Sequence, residues 1–361
     1  MPLFRYHRQE LLPGFGPESS AAMARSHAMV IGCGALGTVA AEMLARAGVG
    51  RLSLIDRDVV EVTNLQRQTL FDEDDARAAR PKAEAAAARL TRVNSSIVID
   101  PIVDDLNPSN ADRLVSSHPP PHVLLDCTDN FVARYLLNDL AVKHSIPLCY
   151  GGAIGTRGTQ FTILPGRTAC LRCVFPQPPA PGDSPTCDTA GVLASATTIV
   201  AACQATDAIK VLLGHERHLP NSLLSFDLWT NDHRRIDLSA ARRADCPCCG
   251  GVVGSGGGRR GEGRFEFLDG SAAPRETVLC GRNSVQISAA APMNLDALHA
   301  RLARVGSFER TPSHVRGRVD GGSGGATGPL EITVFADGRA IIGGTTDPAV
   351  ARAAFDRLVG S

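Results

Sequence analysis

Short β-branched runs alternate with alanine-rich segments of helical period along the first half of the chain. The first three segments predict a strand over His27–Ile31, a helix over Ala35–Ala47 and a strand over Arg51–Ile55. The same alternation then predicts helices over 81–93, 111–117 and 132–144, and strands over 97–103, 123–126 and 147–150. Strands that alternate with helices in this way form βαβ units. The predicted fold class is therefore α/β, with a doubly wound, mostly parallel sheet of the Rossmann type.

The middle of the chain predicts further strands around one long helix. The strands are predicted over 158–164 and 223–227, with antiparallel pairing as an option, and the helix over 195–213. This helix lies in a stretch that has no charged residue from 189 to 206. Its polar side chains and its shortage of large apolar ones predict a buried helix rather than a membrane span.

Glycine occupies eight of the fourteen positions from 250 to 263, which predicts a flexible linker. We therefore divide the chain into a large domain over 1–250, a linker over 251–263 and a small α+β domain over 264–361. In the small domain the sequence predicts helices over 295–303 and 348–359, and a hairpin that joins 330–336 to 339–343.

Composition narrows the classes of function. The 361 residues carry 37 Lys and Arg against 37 Asp and Glu, so the net charge is zero and nucleic acid is not expected as a partner. Eleven cysteines occur in a chain whose first ten residues are polar and basic rather than a secretory signal. We therefore expect a cytoplasmic protein, in which cysteines serve more often as metal ligands or reactive thiols than as disulfides.

A glycine-rich loop follows the first predicted strand. The loop has the sequence GCGALG at 32–37 and opens a helix, and Asp56 ends the next strand. Glycines such as Gly32, Gly34 and Gly37 let the backbone approach phosphates, while the helix N-terminus attracts anionic oxygens. An acidic residue at the position of Asp56 binds ribose hydroxyls. The combination predicts a nucleotide site, and taken alone it favours an NAD enzyme.

Cationic and amide side chains follow the second nucleotide strand. Asn64, Gln66 and Arg67 lie in the segment TNLQRQ, and Lys82 follows Pro81 at the start of a predicted helix. Phosphoryl or nucleotidyl transfer needs such cations, because charge develops on the leaving pyrophosphate, whereas hydride transfer has little use for them. The alternative is that these are surface cations without a catalytic role.

The segment DCTDN closes the fourth parallel strand, at the edge of the sheet where ligands bind. Asp129 at this edge predicts a magnesium site that bridges ATP phosphates. The alternative is that Asp129 or Asn130 caps the helix that begins nearby. Asp126, at the strand end, is expected to be structural.

Two C-x-x-C pairs are present, Cys170 with Cys173 and Cys246 with Cys249. Four thiolates in two such pairs predict a closed, tetrahedral, structural zinc site. A redox C-x-x-C motif is the alternative, but it does not explain two copies. Cys187 follows a proline-rich loop and is either a reactive nucleophile or a structural thiol.

Together these motifs resemble the bacterial ubiquitin-activating-enzyme-like adenylyltransferases of the MoeB, ThiF and HesA type, over residues 4–250. The motifs that carry the resemblance are RYHRQ, GCGALG, the LID strand end, TNLQRQTLF, RPK, DCTDN, the two C-x-x-C pairs and TC-x-x-AGV. In that family the C-terminal glycine carboxylate of a ubiquitin-fold sulfur carrier attacks the α-phosphate of ATP. The products are an acyl-adenylate and pyrophosphate.

The resemblance implies a role for each matching residue. The residues that would bind ATP and Mg²⁺ are Gly32, Gly34, Ala35, Gly37, Asp56, Asn64, Gln66, Arg67, Lys82, Asp129 and Asn130. The catalytic residues would be Arg8, Arg67, Lys82, Asp129 and Cys187. Arg8 would reach the site of a neighbouring subunit, which implies a homodimer. The implied Zn²⁺ ligands are Cys170, Cys173, Cys246 and Cys249, and the implied partner is a sulfur carrier that ends in Gly-Gly.

Two other functions remain open from the sequence. An NAD-dependent oxidoreductase is favoured only by the glycine loop and Asp56, and a non-catalytic scaffold for a ubiquitin-like protein is disfavoured by the retained Arg67, Lys82 and Asp129. Within adenylation, the sequence does not distinguish molybdopterin, thiamine and related pathways, or a sulfur carrier from a small carboxylate, a peptide or a modified tRNA base. Ala35 departs from family loops that have glycine there, and the last hundred residues or so are absent from the shortest members.

Overall fold

The computed structural model describes residues 5–116, 119–179, 190–250, 263–271, 276–279, 284–288, 293–311, 314–319, 328–336 and 338–360. The chain forms two compact units. The larger comprises Met1–Pro178 and Val192–Ala272, and the smaller comprises Pro179–Gly191 and Ala273–Ser361.

The larger unit contains nine helices and eight strands within its described residues. The helices are α1 (His7–Glu10), α2 (Pro17–Ala24), α3 (Ala35–Ala47), α4 (Glu73–Arg77), α5 (Lys82–Val93), α6 (Ala111–Val115), α7 (Phe131–His144), α8 (Leu171–Val174) and α9 (Ala194–Leu212). The strands are β1 (His27–Ile31), β2 (Arg51–Ile55), β3 (Val98–Ile102), β4 (Val123–Asp126), β5 (Leu148–Ile154), β6 (Arg157–Ile163), β7 (Ser222–Asp227) and β8 (Asp232–Asp237). Two 3₁₀ turns, Val62–Asn64 and Glu216–His218, complete it.

The strands form one sheet in the order β3-β2-β1-β4-β5-β6-β7-β8. The first five in this order are parallel, and β6, β7 and β8 add antiparallel. This confirms the predicted doubly wound, mostly parallel α/β fold. Strand β8 was not predicted, because it is an exposed edge strand whose sequence, DHRRID, has a single apolar residue and so carries no hydrophobic pattern.

Helices cover both faces of the sheet. One apolar core lies under α3, α5 and α9, with Leu44, Leu90 and Val200 among its members. The other lies under α6 and α7, with Leu114 and Leu136 among its members. The parallel strands β1, β2 and β4 are buried on both faces, which is why they read as continuous apolar runs in the sequence, whereas the edge strand β3 is partly exposed.

Helix α9 is the long uncharged helix of the sequence. It packs against α3 and against β4, β5 and β6, so its apolar side chains face protein. Its Gln204 is fully buried, and the amide nitrogen donates to the carbonyl oxygens of Asp126 (2.7 Å) and Cys149 (2.9 Å). Among the described residues, none of the helices is both long and apolar enough to cross a membrane.

The boundary of the larger unit differs from the predicted linker end. Phe267 and Leu268 are buried in the core beside α7, although the sequence placed them in the C-terminal domain. The backbone nitrogen of Phe267 donates to Asp139 at 2.9 Å, and its ring lies 4.9 Å from that of Tyr135. These contacts extend the larger unit to Ala272. Most of the predicted linker lies outside the described residues.

The smaller unit is an antiparallel sheet with two helices. Its strands are β9 (Glu276–Leu279), β10 (Ser284–Ser288), β11 (Ser307–Arg310), β12 (His314–Val319), β13 (Leu330–Phe335) and β14 (Arg339–Gly343), and its helices are α10 (Leu295–Leu302) and α11 (Pro348–Leu358). The sheet order is β11-β12-β13-β14-β10-β9, and both helices pack on it. The predicted α+β class, both helices and the β13–β14 hairpin are confirmed.

Candidate functional site

The sheet changes its direction of winding between β1 and β4. Strands β2 and β3 follow on one side and β5 on the other, so the loops that leave β1 and β4 diverge. Ligands of open α/β sheets bind in the crevice at such a point, beyond the carboxyl ends of the strands. The loop after β4 is tied back to β1, because the nitrogen of Cys127 donates to the carbonyl of Ile31 at 2.9 Å.

The three glycines of the loop after β1 have different roles. Gly32 has φ +93°, and a Cβ there would lie 2.6 Å from the carbonyl oxygen of Cys127. A Cβ on Gly37 would lie 1.7 Å from the carbonyl oxygen of Gly32. Gly34, at the N-cap of α3, would place a Cβ against nothing closer than the Gln68 amide nitrogen at 3.9 Å. Protein packing therefore requires Gly32 and Gly37, while Gly34 leaves open space at the helix N-terminus.

This difference predicts opposite behaviour for two alanine substitutions. Gly37→Ala overlaps the loop backbone, so we expect a loss of more than about 3 kcal/mol in the free energy of unfolding. Gly34→Ala fits the fold, but its methyl group occupies the space beside the helix N-terminus, so we expect unchanged stability and ATP binding weakened by about ten-fold. Thermal unfolding and calorimetric titration with ATP measure the two effects. If Gly34→Ala bound ATP as tightly as the wild-type protein, the open space at the N-terminus of α3 would not be the phosphate site.

Asp56 stands at the end of β2, beside the glycine loop. Its carboxylate accepts from the backbone nitrogens of Cys33 and Asp58, each at 2.7 Å. Desolvation raises the pKa of Asp56 to about 6, and the nearby Lys82 cation opposes this rise. Each carboxylate oxygen has a second lone pair, so the group can also accept from a hydroxyl. The carboxylate is thus oriented by the loop that it faces.

Lys82 is held inside the site rather than on the surface. It is the first residue of α5, after Pro81 at the N-cap, and only 7% of its side chain is exposed. Its Nζ lies 3.3 Å from Oδ2 of Asp58, and its backbone nitrogen donates to the Asp58 carbonyl at 2.8 Å. A buried ammonium costs free energy, which argues against a cation of no function.

The three predicted site residues of the TNLQRQ segment differ in how far they are buried. Asn64 is buried and its side chain closes a capping box, since Oδ1 accepts from the nitrogen of Glu61 at 3.1 Å. Arg67 is partly exposed, and its Nη1 donates to the Thr63 carbonyl at 2.9 Å. Gln66 is exposed. Asn64 therefore shapes the turn that carries Arg67.

Two residues near the site carry no motif signal of their own. Gln68 is buried beside Gly34, and its Oε1 accepts no hydrogen bond from the described residues. Arg57 follows Asp56 directly and forms ion pairs with Asp105 (3.0 Å) and Asp58 (3.8 Å). Neither is among the site residues that the sequence predicts, although Gln68 ends the TNLQRQ run and Arg57 separates two aspartates at a strand end.

The two acidic residues at the end of β4 and in the loop after it have different environments, since Asp126 is buried and Asp129 is exposed. Asp126 is fully buried, and its Oδ1 accepts from the backbone nitrogen (3.1 Å) and hydroxyl (2.7 Å) of Thr128. Burial raises the pKa of Asp126. Asn130 caps α7, because its Oδ1 accepts from the nitrogen of Ala133 at 2.8 Å. Asp129 is exposed at the mouth of the crevice, where a cation could reach it.

The structure does not bring Arg8 to the site of its own chain. Tyr6 accepts from the Asn94 side-chain amide at 2.9 Å, and its ring lies against Gly48, just beyond the C-terminus of α3. The 13 residues of α3 span about 20 Å, and the glycine loop is at the other end. Arg8 is therefore exposed at a surface remote from Gly34.

The two C-x-x-C pairs meet in one buried cluster. The sulfur atoms of Cys170, Cys173, Cys246 and Cys249 all lie within 4.8 Å of one another. The sulfur of Cys170 is 3.8 Å from that of Cys173 and 3.6 Å from that of Cys246, and the sulfurs of Cys173 and Cys249 are 3.4 Å apart. In a tetrahedral zinc site with Zn–S bonds of about 2.3 Å, the sulfurs are about 3.8 Å apart, so the cluster fits zinc. Cys248 is excluded from the set, and its sulfur accepts from the Asn138 amide at 3.2 Å.

The cluster joins distant parts of the larger unit. It connects α8, which follows the sheet strand β6, with the segment that follows β8. Arg172, between the first two cysteines, pairs with Glu266 at 3.0 Å. A metal bound here would hold the α8 region and the segment after β8 together. Because four protein ligands fill its coordination sphere, no position would be left open for catalysis. Cys187 lies outside the described residues.

Comparison with known proteins agrees with this geometry. The model of the ThiF family matches residues 6–248. A Bacillus subtilis protein named "Sulfur carrier protein ThiS adenylyltransferase" is 39% identical over 359 residues, which cover 99% of either chain. A Thermus thermophilus protein named "Sulfur carrier protein adenylyltransferase" is 37% identical over 253 residues, 69% of this chain and 91% of that protein.

Solved structures show the same fold. The crystal structure of Escherichia coli MccB superposes with a TM-score of 0.60 at 22% identity, over 72% of this chain and 75% of that chain. The family match spans the glycine loop, the Lys82 region, the loop after β4 and the cysteine cluster. The chain belongs to the ThiF family.

Proposed function

We propose that the protein is an ATP-dependent adenylyltransferase that activates the C-terminal glycine carboxylate of a ubiquitin-like sulfur carrier. The activated carrier would then accept sulfur for thiamine, molybdopterin or a related sulfur-containing cofactor. The observation that carries the proposal is the similarity to the Bacillus subtilis protein, which extends over 99% of both chains and so includes the C-terminal unit. The buried Lys82 and the open space at Gly34 support it independently.

The nucleotide would lie in the crevice between β1 and β4. The N-terminus of α3 at Gly34 would receive phosphate oxygens, and Asp56 would accept from the ribose hydroxyls. Lys82 and Arg67 would neutralise the phosphates, with Asn64 shaping the turn under Arg67. Mg²⁺, held by Asp129, would supply charge neutralisation at the phosphates.

The reaction is a displacement at phosphorus. A carboxylate oxygen of the carrier attacks the α-phosphorus, the bond to the bridging oxygen breaks, and pyrophosphate leaves with the electron pair. A carboxylate is a weak nucleophile, so positioning must supply much of the rate, and orientation can contribute about 7–11 kcal/mol. Lys82 and Arg67 would hold their charges where the leaving pyrophosphate gains its own.

The direct test is ATP–pyrophosphate exchange in the presence of candidate carriers that end in Gly-Gly. We expect exchange that depends on one carrier and disappears when its last glycine is removed. Absence of exchange with every carrier tested would overturn the proposal. Exchange that persists in Cys187→Ser would remove that thiol from the adenylation step, and loss of exchange at wild-type thermal stability would place it in that step.

We further propose that the active protein is a homodimer in which Arg8 serves the partner's site. The exposure of Arg8 about one helix length from its own glycine loop supports this. Subunits carrying Arg8→Ala or Lys82→Ala should be inactive alone, because each lesion affects every site. Mixed after unfolding and refolding together, they should regain about one quarter of wild-type exchange, since half the dimers have one intact site. No recovery would contradict action across the dimer.

We propose that Zn²⁺ occupies the four-cysteine cluster with a structural role, because the sulfur spacing fits and no ligand position is left open. We also place the protein in the cytoplasm. None of the nine cysteines that the structure describes is in a disulfide, which suits a reducing compartment.

A further inference from the structure

Two polar residues interrupt an otherwise apolar stretch of α7. Asn138 and Asp139 stand between Leu137 and Leu140, and both side chains are fully buried. Burial of a polar side chain costs free energy unless hydrogen bonds replace those made to water, so each of the two positions needs fixed partners. The proposed adenylation uses neither residue.

The amide of Asn138 is bound to both C-x-x-C segments. Its Oδ1 accepts from the backbone nitrogen of Leu171 at 2.8 Å, and Leu171 directly follows Cys170. Its Nδ2 donates at 3.2 Å to the sulfur of Cys248, which stands inside the second pair. Because a backbone N–H can only donate, the amide oxygen must face Leu171 and the amide nitrogen must face the sulfur. One side chain therefore joins two segments that are far apart in the sequence.

Cys248 is the point at which the second segment is attached to α7. It is fully buried, and its sulfur is outside the set of four that lie within 4.8 Å of one another. The two cysteines around it face the first pair instead, since Cys246 is 3.6 Å from Cys170 and Cys249 is 3.4 Å from Cys173 between sulfurs. The segment thus has one sulfur on α7 and two in the cluster.

Helix α7 also holds the segment that returns after the glycine-rich stretch. Oδ2 of Asp139 accepts from the backbone nitrogen of Phe267 at 2.9 Å. The backbone nitrogen of Arg264 donates to the carbonyl of Pro247 at 2.7 Å, so the returning segment lies against the second C-x-x-C segment. Hydrogen bonds to one helix therefore hold three separate segments around the cluster, and none of these bonds needs a metal.

We propose that Asn138 is the positioning residue of the zinc site, because it fixes both C-x-x-C segments on α7 in the arrangement that binds the metal. This inference rests on the proposed zinc occupancy and not on adenylation. Ligands that are already held close to their bound positions lose less conformational freedom when the metal binds, so the site binds zinc more tightly. Asn138 acts through Leu171 and Cys248 rather than as a ligand.

Competition for zinc with a chelator of known affinity measures this effect. Groups that orient metal ligands change metal affinity by about 10- to 100-fold, and we expect a loss of this size in Asn138→Ala. Thermal unfolding of the same variant records how far the fold as a whole is weakened.

Asn94→Ala is the matched control for Asn138→Ala. Asn94 is equally buried, its Nδ2 donates to the carbonyl of Ala45 at 2.7 Å, and its Oδ1 accepts from the nitrogen of Ser96 at 3.2 Å. It follows α5, on the face of the sheet opposite α7. Asn94→Ala should lower the melting temperature as well, but its zinc affinity should stay within about two-fold of wild type, because distant sites act independently.

Two variants of Cys248 test the same contact from its other end, and they keep the proposal testable if Asn138→Ala does not fold. A serine hydroxyl still accepts a hydrogen bond from Nδ2, whereas alanine removes the acceptor. Cys248→Ala should therefore bind zinc more weakly than wild type, and Cys248→Ser should recover most of the loss.

The outcomes that overturn the positioning role differ from those that overturn the proposals on which it depends. Zinc affinity in Asn138→Ala that equals wild type, or that falls no more than in Asn94→Ala, would overturn the role, and so would equal affinities in Cys248→Ser and Cys248→Ala. A wild-type protein that binds no zinc would overturn the zinc assignment as well. Absence of ATP–pyrophosphate exchange would overturn adenylation alone.

Discussion

Replacement of Lys82 by alanine is expected to lower ATP–pyrophosphate exchange by about 100- to 1,000-fold. The Lys82 ammonium is almost fully buried and is fixed by Asp58, so its charge is oriented before the substrate arrives. A preorganised charge stabilises the transition state without the cost of reorganising water. Arg67→Ala should give a loss of similar size, because the Arg67 guanidinium, which donates to the Thr63 carbonyl of the preceding 3₁₀ turn, would neutralise the same phosphates.

Arg80→Ala is the matched control for Lys82→Ala. Arg80 lies two residues before Lys82 and also forms an ion pair, with Asp75 at 2.7 Å, but 44% of its side chain is exposed, against 7% for Lys82. Exchange should stay within two-fold of wild type in this control. Exchange near the wild-type rate in Lys82→Ala, with unchanged thermal stability, would remove Lys82 from the catalytic residues and leave it a structural partner of Asp58.

Loss of one cluster cysteine should have the largest effect on stability. Cys246→Ser is expected to remove bound zinc and to lower the melting temperature by more than about 10 °C, since structural zinc contributes about 10 kcal/mol or more to folding. The effect should be large because the cluster joins α8 to the segment after β8 and stands next to the Arg172–Glu266 pair. Zinc content by elemental analysis and thermal unfolding measure it.

Two other cysteines provide controls for Cys246→Ser. Cys203, in α9, is partly exposed and is outside the cluster, so Cys203→Ser should keep both the zinc and the melting temperature. Cys248 lies within the CPCC run but is excluded from the cluster by geometry, so Cys248→Ser should keep the zinc. Zinc retained in Cys246→Ser and lost in Cys248→Ser would reverse the ligand assignment.

Much of the larger unit could be predicted because its central parallel strands, β1, β2 and β4, are buried on both faces. The bounds of β1, α3, β2 and β4 match the sequence prediction, and α9 differs by one residue at each end. The apolar runs and the glycine and proline breaks carry enough information there. Edge strand β8 and strands β9 to β12 could not be found in the same way. Strand β8 is exposed and has a single apolar residue, and β9 to β12 are defined by pairing with neighbouring strands rather than by a local pattern.

The parts of the candidate site that follow the ends of parallel strands could be predicted from the sequence. The glycine loop, Asp56 and the DCTDN loop are close in space because parallel strands end at one edge of the sheet. The cysteine cluster was predictable from ligand spacing alone. Gln68 and Arg57 were not, because their positions beside the site depend on contacts with Gly34 and Asp105 that no local spacing encodes. The choice between Asn130 and Asp129 as the cap of α7 likewise needed the structure.

The C-terminal boundary shows the same limit. The glycine-rich stretch predicted that a new domain begins at 264, yet Phe267 and Leu268 belong to the core of the larger unit. A linker composition marks where the chain is free of regular structure. Composition does not show whether the residues after the linker pack back against the preceding core. Here Phe267 does so through its contacts with Asp139 and Tyr135 of α7.

The most direct measurement for the central claim is the intact mass of the carrier after incubation with the protein, ATP and Mg²⁺. We expect a carrier that ends in Gly-Gly to gain the mass of one adenylyl group (AMP less one water), with one pyrophosphate released for each carrier, and we expect Lys82→Ala to abolish the gain. A carrier that keeps its original mass while ATP is consumed, or one that gains AMP equally well without its terminal glycine, would contradict adenylation of the C-terminal carboxylate.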